Sequence, residues 1–116
     1  MAKNFVQEGR YLFLNVGTGV KAGDPVAVGD LTGVATIDAD ANGNATVDTE
    51  ACVYSLSVKG VNGSGNSAVA VGDILYYVAN DTPPLSKKNS GVEYGHALAA
   101  VNAGATATIS VKLTEK

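Results

Sequence analysis

The sequence is poor in the residue types that usually carry catalysis and metal binding. Its 116 residues include no tryptophan, one cysteine, one histidine and two phenylalanines, and only 16% of them are charged. A single cysteine excludes an intrachain disulfide, and a Cys/His metal cage would need more partners for Cys52 than His96 alone. A Ser-His-Asp set assembled by folding stays open at this point. We expect Cys52 and His96 to be structural, and we expect a protein without catalytic residues or a cofactor.

Long apolar runs and clusters of positive charge are also missing. No run approaches the roughly 20 apolar residues that span a bilayer, and the opening MAKNFVQEGR lacks the apolar region of a secretory signal. The formal net charge is −3 at pH 7, whereas nucleic-acid binding needs clustered Lys and Arg. Lys87 and Lys88 form the only adjacent basic pair, which we interpret as part of a solvated loop. The sequence therefore predicts a cytoplasmic protein that binds neither nucleic acid nor membrane.

Glycine and alternating small apolar residues are abundant instead. Apolar residues recur at every second position far more clearly than at every third or fourth, which is typical of half-buried strands. In YLFLNV this pattern places Leu12, Leu14 and Val16 on one face. Predicted strands are Leu12–Val16, Val26–Val28, Thr32–Ile37, Ala45–Thr49, Val53–Val58, Ile74–Val78, Tyr94–Val101 and Thr106–Leu113, separated by Gly, Asn and Asp clusters. We expect an arm at residues 1–10 and one all-β domain at residues 11–116, a small barrel or sandwich of short antiparallel strands.

Two parts of the predicted domain look alike. GVATIDADANGNATVDT aligns without gaps with GHALAAVNAGATATISV at an offset of 62 residues, which places Gly33 opposite Gly95 and Val47 opposite Ile109. Upstream, KAGDPVAVG and AVGDILYYV each place a Gly-Asp pair before a run of β-formers. Glycine accepts the positive φ of a tight turn, and aspartate can bond the following amides. The repeat predicts two similar hairpins.

The segment DADANGNATVDTE begins like a calcium loop. Asp38, Asp40 and Asn42 occupy its first, third and fifth positions, with glycine at the sixth. The twelfth position, where an EF-hand needs a bidentate glutamate, is Thr49, and Glu50 comes one residue late. A shift of one residue in a strand moves a side chain to the opposite face. We interpret the segment as an Asn-Gly hairpin tip and expect no metal site, with Asp38, Asp40 and Asn42 as the weak candidate.

Blocks along almost the whole chain resemble a known viral family. They are AKNFVQEG, GDPVAVGDLTGVA, YSLSVKG, VGDILYYVAND and GHALAAV with ATATISVKL. In order and spacing these turn-strand blocks are similar to the capsid cement, or decoration, proteins of tailed bacteriophages, although Ser57 stands where such proteins often have proline. The resemblance implies a structural protein that binds the major capsid protein on the outer surface of the head, usually as a small oligomer such as a trimer. It also implies location in the virion after assembly in the host cytoplasm.

Two features suggest how such a protein makes contacts. In the arm, Phe5 and Gln7 stand two residues apart with Val6 between them, and Asn4, Phe5, Val6 and Gln7 are candidates for the capsid or subunit interface by strand addition to a neighbour. The alternative is an arm without fixed structure. A different function, a carbohydrate- or receptor-binding β module of the virion, would use tyrosines as a stacking platform. Those tyrosines are Tyr11, Tyr54, Tyr76, Tyr77 and Tyr94.

Overall fold

The computed structural model describes residues 9–50 and 52–114, which form ten β-strands. The strands are β1 (Tyr11–Asn15), β2 (Pro25–Val28), β3 (Leu31–Ala35), β4 (Asn44–Asp48), β5 (Val53–Asn62), β6 (Gly65–Asn66), β7 (Ile74–Tyr77), β8 (Leu85–Lys87), β9 (Val92–Ala97) and β10 (Thr106–Leu113). The described residues contain no helix of the length and apolarity that crossing a membrane requires. The all-β prediction is confirmed.

The first four strands form an open antiparallel sheet in the order β1-β4-β3-β2. Alternation places one set of side chains on a common face, where Val26, Ala35 and Val47 are buried. Leu14 and Val16, at the end of β1 and just after it, pack against them. The predicted face of the first strand is therefore confirmed, and it closes a small core.

The other six strands build a barrel. β10, β9, β7, β8 and β5 are neighbours in this order, and β5 also pairs with β10, so five strands close into a ring while β6 extends β5 as a short hairpin. Four of these five pairings are antiparallel, and β5 with β8 is parallel. The main core lies inside this barrel and consists of Leu56, Val58, Val69, Leu75, Leu85, Tyr94, Ala97, Val101, Ile109, Val111 and Leu113, joined by Val34 of the open sheet.

Each predicted strand has a counterpart, but two strands were not predicted. β6 lies in the glycine-rich stretch that composition marks as a loop, and β8 follows two prolines. The interpretation of the basic pair as a solvated loop is wrong, because Lys87 ends β8 and its Nζ lies 3.0 Å from the Ala68 carbonyl oxygen and 3.3 Å from Asp73. Lys88 forms an ion pair with Asp81 at 2.8 Å. Both lysines therefore fasten loops to the barrel.

The Gly-Asp pairs form matching turns in the two halves. Gly23 and Gly72 have φ of +89° and +93°, a region that favours glycine. Each donates its amide to an alanine carbonyl of the following hairpin at 2.7 Å. Asp24 and Asp73 each accept a hydrogen bond from the amide three residues earlier, at 3.0 and 2.8 Å. The likeness seen in the sequence is thus a repeated turn that ties one strand to a hairpin.

The two predicted hairpins, β3–β4 and β9–β10, are both present, with one difference in register. Ala35 pairs with Val47, and the equivalent Ala97 pairs with Val111 rather than with Ile109. The ungapped alignment is therefore wrong by two residues in the second strand, because the second connection is longer. A shift of two keeps the same face toward the core, and Val47 and Val111 are both buried.

Candidate functional site

β1 is an edge strand whose one partner among residues 9–50 and 52–114 is β4. At its end, the Val16 amide donates to the Gly43 carbonyl at 2.8 Å. Since backbone groups alternate in direction along an antiparallel strand, the N–H and C=O groups of Tyr11, Phe13 and Asn15 point away from β4. β1 therefore presents the N–H and C=O groups of three residues along its free edge. They recur at every second residue, which is the spacing that pairing with a further strand requires.

The side chains of the same residues lie on the outer face of the open sheet. Phe13 is 63% exposed and Tyr11 is 50% exposed, and they stand two residues apart on one strand. Large exposed apolar side chains beside unpaired backbone groups mark a surface for strand pairing with another chain. We call the outward-facing groups of Tyr11, Phe13 and Asn15 the β1 edge.

The other edges of the fold are blunted. The barrel closes on itself, so its five strands have a neighbour on each side. β2, the opposite edge of the open sheet, begins with Pro25, which lacks an amide and sits where a strand edge tolerates proline. The register with β3 places the backbone of Pro25 toward the free side. Natural sheets block edges in these ways, and the β1 edge has neither protection.

A buried carboxylate anchors the start of β1. Asp48, in β4, is 1% exposed and accepts hydrogen bonds from the Tyr54 hydroxyl at 2.5 Å and the Glu50 amide at 3.1 Å. Arg10 lies directly before β1. Its Nε is 3.4 Å from Asp48 Oδ1 and 3.1 Å from a Glu50 carboxylate oxygen, and its Nη2 is 3.4 Å from Asp48 Oδ2. The Arg10 guanidinium also lies 4.9 Å from the centre of the Tyr11 ring. The cluster joins β1 to β4 and to β5 of the barrel.

The hydrogen bonds of this cluster change the acidity of its members. Burial acts to raise the pKa of Asp48, but hydrogen bonds from Tyr54, the Glu50 amide and Arg10 outweigh it and hold that pKa below its usual value. The bond to Asp48, with burial, raises the pKa of Tyr54 to about 12. At neutral pH the cluster therefore holds an ionised carboxylate, a neutral phenol and a guanidinium. Its role is structural, because these groups hold strands together.

The calcium candidates cap a turn. One Asp40 oxygen accepts the amides of Asn42 at 2.9 Å and Asn44 at 3.0 Å, and an Asp38 oxygen accepts the Ala22 amide at 2.9 Å. No three His, Cys, Asp or Glu side chains converge in the part of the chain that the structure describes. The geometry supports the interpretation of this segment as a hairpin tip.

Calcium is expected to leave the protein unchanged. Because one oxygen of each carboxylate at the tip already accepts backbone amides, titration with millimolar calcium should give little heat, and the melting temperature should move by less than about 1 °C. Binding to the native state alone would stabilise it by mass action. A calorimetric titration with a parallel melting curve measures both, and a rise of several degrees would restore the metal hypothesis for Asp38, Asp40 and Asn42.

The remaining candidates from the sequence do not assemble into one site. Tyr94 is buried in the barrel core, with its ring stacked on Tyr77 at 6.2 Å, while Tyr54 binds Asp48 and Tyr11 lies on the β1 edge. The five tyrosines therefore do not share one stacking surface. His96 lies between Ile74 and Lys112 on neighbouring strands. Cys52 is half-buried, with Sγ 3.5 Å from the Arg10 guanidinium.

The predicted interface residues Asn4, Phe5, Val6 and Gln7 lie outside the described residues. Their part in a capsid or subunit contact stays a prediction.

Within residues 9–50 and 52–114, the open sheet thus has one edge, at β1, without a blocking feature, and an edge strand of this kind can pair with a strand of another chain. The family model described as phage cement protein matches residues 6–113 of the chain, and the chain belongs to that family. No curated protein and no solved structure gave a significant match. Membership makes this a structural protein associated with the phage capsid in the virion.

Proposed function

We propose that the protein binds the outer surface of the assembled phage head through the major capsid protein and stabilises the shell, without enzymatic activity. The observation that carries this proposal is the β1 edge, an unprotected strand with two exposed aromatic residues in a chain of the cement family. Copies made in the host cytoplasm would attach during assembly and remain on the virion.

Strand addition explains how the β1 edge would hold a capsid strand. The three outward-facing residues supply main-chain donors and acceptors, while Phe13 and Tyr11 supply apolar area next to them. Full burial of one large apolar side chain stabilises a contact by roughly 1.5–3 kcal/mol. Each contact would be modest, but an oligomer that engages several sites gains effective concentration, so the set of contacts binds stably.

Self-association completes the proposal. An icosahedral shell offers three-fold positions, and a trimer matches them. The arm residues Asn4, Phe5, Val6 and Gln7 directly precede β1 in the chain, so a strand that they form would extend beyond the domain toward a neighbour. We assign these four residues to the interface with another subunit or with the capsid protein.

The function is tested with purified protein and capsids of the same phage, before and after expansion. Wild-type protein should co-sediment with expanded capsids, and light scattering should give the mass of a trimer in solution. The heat resistance of the capsids should rise with bound protein. A monomer that ignores both capsid forms would refute the cement function proposed here.

The β1 edge is tested by Phe13→Lys. A lysine on an edge strand blocks pairing, and apolar contact is lost, so capsid affinity should fall at least about tenfold, which corresponds to roughly 1.4 kcal/mol. Val71→Lys is the matched control, because Val71 is 66% exposed in a turn of the barrel lobe. Both variants should melt near the wild-type temperature. If the two variants bind capsids with equal affinity, then the β1 edge is not part of the capsid interface.

A further inference from the structure

A crevice runs between the open sheet and the barrel, on the side opposite the β1 edge. It consists of two adjoining hollows of about 710 and 670 Å³ that share Tyr77 and Ala79. The end of β2 and the turn after it form one wall, with Ala27, Gly29 and Asp30. The barrel wall comes from the end of β7, the loop after it and the start of β9. Two adjoining hollows of this volume can receive a short segment of peptide.

Carboxylates line both hollows. Asp30 and Glu93 belong to one of them, and Asp24 and Asp81 to the other. Of these four carboxylates, Asp81 alone has a cationic partner within residues 9–50 and 52–114, and that partner is Lys88. The second hollow also has an apolar wall formed by Val20, Pro25, Tyr77, Ala79, Pro83 and Pro84. The crevice therefore suits a segment in which a positive charge comes near apolar side chains.

The charge of the residues around the crevice also favours a cationic partner. Residues 9–50, which form the open sheet, hold six carboxylates against Arg10 and Lys21. Residues 52–114 hold three carboxylates against four lysines. The field on the open-sheet side of the crevice is thus strongly negative, and it attracts a cationic partner and orients it.

The chain itself contains such a segment in its first eight residues. Lys3 stands two residues before Phe5, Val6 follows, and Glu8 is the other charged residue of the segment. Eight extended residues reach roughly 26–29 Å. A cation close to apolar residues suits two adjoining hollows, of which one has Asp30 and Glu93 and the other has the prolines Pro25, Pro83 and Pro84.

We propose that the crevice of one copy receives residues 1–8 of a second copy, with Lys3 near Asp30 and Glu93, and with Phe5 against the apolar wall. This inference rests on the self-association proposed above. β1, which the segment precedes, and β2, which lines the crevice, are opposite edges of the open sheet. The donated segment and its acceptor therefore lie on opposite sides of each copy, which is the head-to-tail arrangement that closes into a ring.

Neutralising the acidic end of the crevice tests the contact in the full-length chain. Asp30→Asn with Glu93→Gln should raise the dissociation constant of self-association at least about tenfold at low salt, and high salt should have a similar effect on the wild type. Asp38→Asn with Asp40→Asn is the matched control, since it removes the same amount of charge at residues that do not line the crevice, and Asn can still accept the turn amides. Light scattering over a concentration series measures both, and an equal effect of the two pairs would overturn the proposal.

Disulfide trapping tests whether the segment lies in the crevice. It also shows whether the segment and the crevice belong to one copy or to two. In a Cys52→Ser background, Lys3→Cys with Asp30→Cys should form covalent oligomers under mild oxidation, whereas Lys3→Cys with Asp38→Cys should not. A link within single chains would overturn the assignment to a second copy. If oligomers of normal mass form without a link at residue 30, then the crevice does not bind the segment, although the protein does self-associate. A protein that is monomeric in light scattering would overturn both.

Discussion

Gly33→Ala is expected to destabilise the protein by about 3 kcal/mol, the upper range for forced overpacking, and to lower the melting temperature by roughly 10 °C. A Cβ on Gly33 would overlap the Asp48 carbonyl oxygen and lie 2.7 Å from a Val47 methyl carbon. Both contacts involve the neighbouring strand β4, so the two strands would have to separate. The Gly33 carbonyl also accepts the buried Tyr94 hydroxyl at 2.6 Å, the bond that joins the open sheet to the barrel.

Gly63→Ala is the control for this substitution. Gly63 has an ordinary φ, and the nearest atom to its Cβ would be an Asn89 oxygen at 3.8 Å, which is normal contact. Its free energy of unfolding should change by less than about 0.5 kcal/mol. Chemical denaturation with circular dichroism measures both variants. If Gly33→Ala is no less stable than Gly63→Ala, then Gly33 is not a point of close strand packing.

Asp48→Ala should cost about 2–3 kcal/mol, because it leaves the Tyr54 hydroxyl and the Glu50 amide without their acceptor and frees Arg10 from β4. Asp40→Ala is a useful comparison, since Asp40 also accepts two amides but is exposed to water, and its loss should cost under about 1 kcal/mol. If both variants lose equal stability, then the burial of Asp48 has no special role.

The same carboxylate predicts an acid limit. The pKa of Asp48 in the folded protein lies below the ordinary value of 3.8, so the unfolded chain binds the proton first as the pH falls. The stabilisation by Asp48 is complete above about pH 5 and is lost as the pH falls below about 4, through the folded pKa. Asp48→Asn should therefore show a flatter loss of stability below pH 4 than the wild type, and parallel curves would contradict the assignment. Urea titrations from pH 3 to 7 make this comparison.

Much of the fold was predictable because alternation is a local signal. β10 matches its predicted bounds of Thr106 and Leu113, since every second residue there faces the core. The strands that were not predicted, β6 and β8, are short and lack this pattern. β8 forms because Leu85 and Ser86 are buried between β7 and β5, a tertiary environment that no short stretch of sequence reveals.

The candidate site was less accessible to sequence reasoning. Leu12 and Leu14 on one face of the first strand were predicted, but the free edge of β1 depends on the strand order, which is a property of the whole sheet. The role of Asp48 had one visible signal, an acidic residue at the end of an alternating strand. Its partners, Arg10 and Tyr54, are 38 and 6 residues away, so their convergence required the fold.

The two edges of the open sheet, β1 and β2, differ in a way that affects the solubility of the protein before it binds a capsid. A fibre that grows by strand pairing needs two receptive borders per molecule, one to join and one to extend. Here the border that begins with Pro25 is a poor acceptor, and the barrel offers no alternative among its five closed strands. Within the open sheet that residues 9–50 form, β1 is thus the one border suited to strand pairing, so pairing there does not extend through the opposite border of the sheet. High concentrations in an infected cell can then be reached without polymerisation through sheet borders.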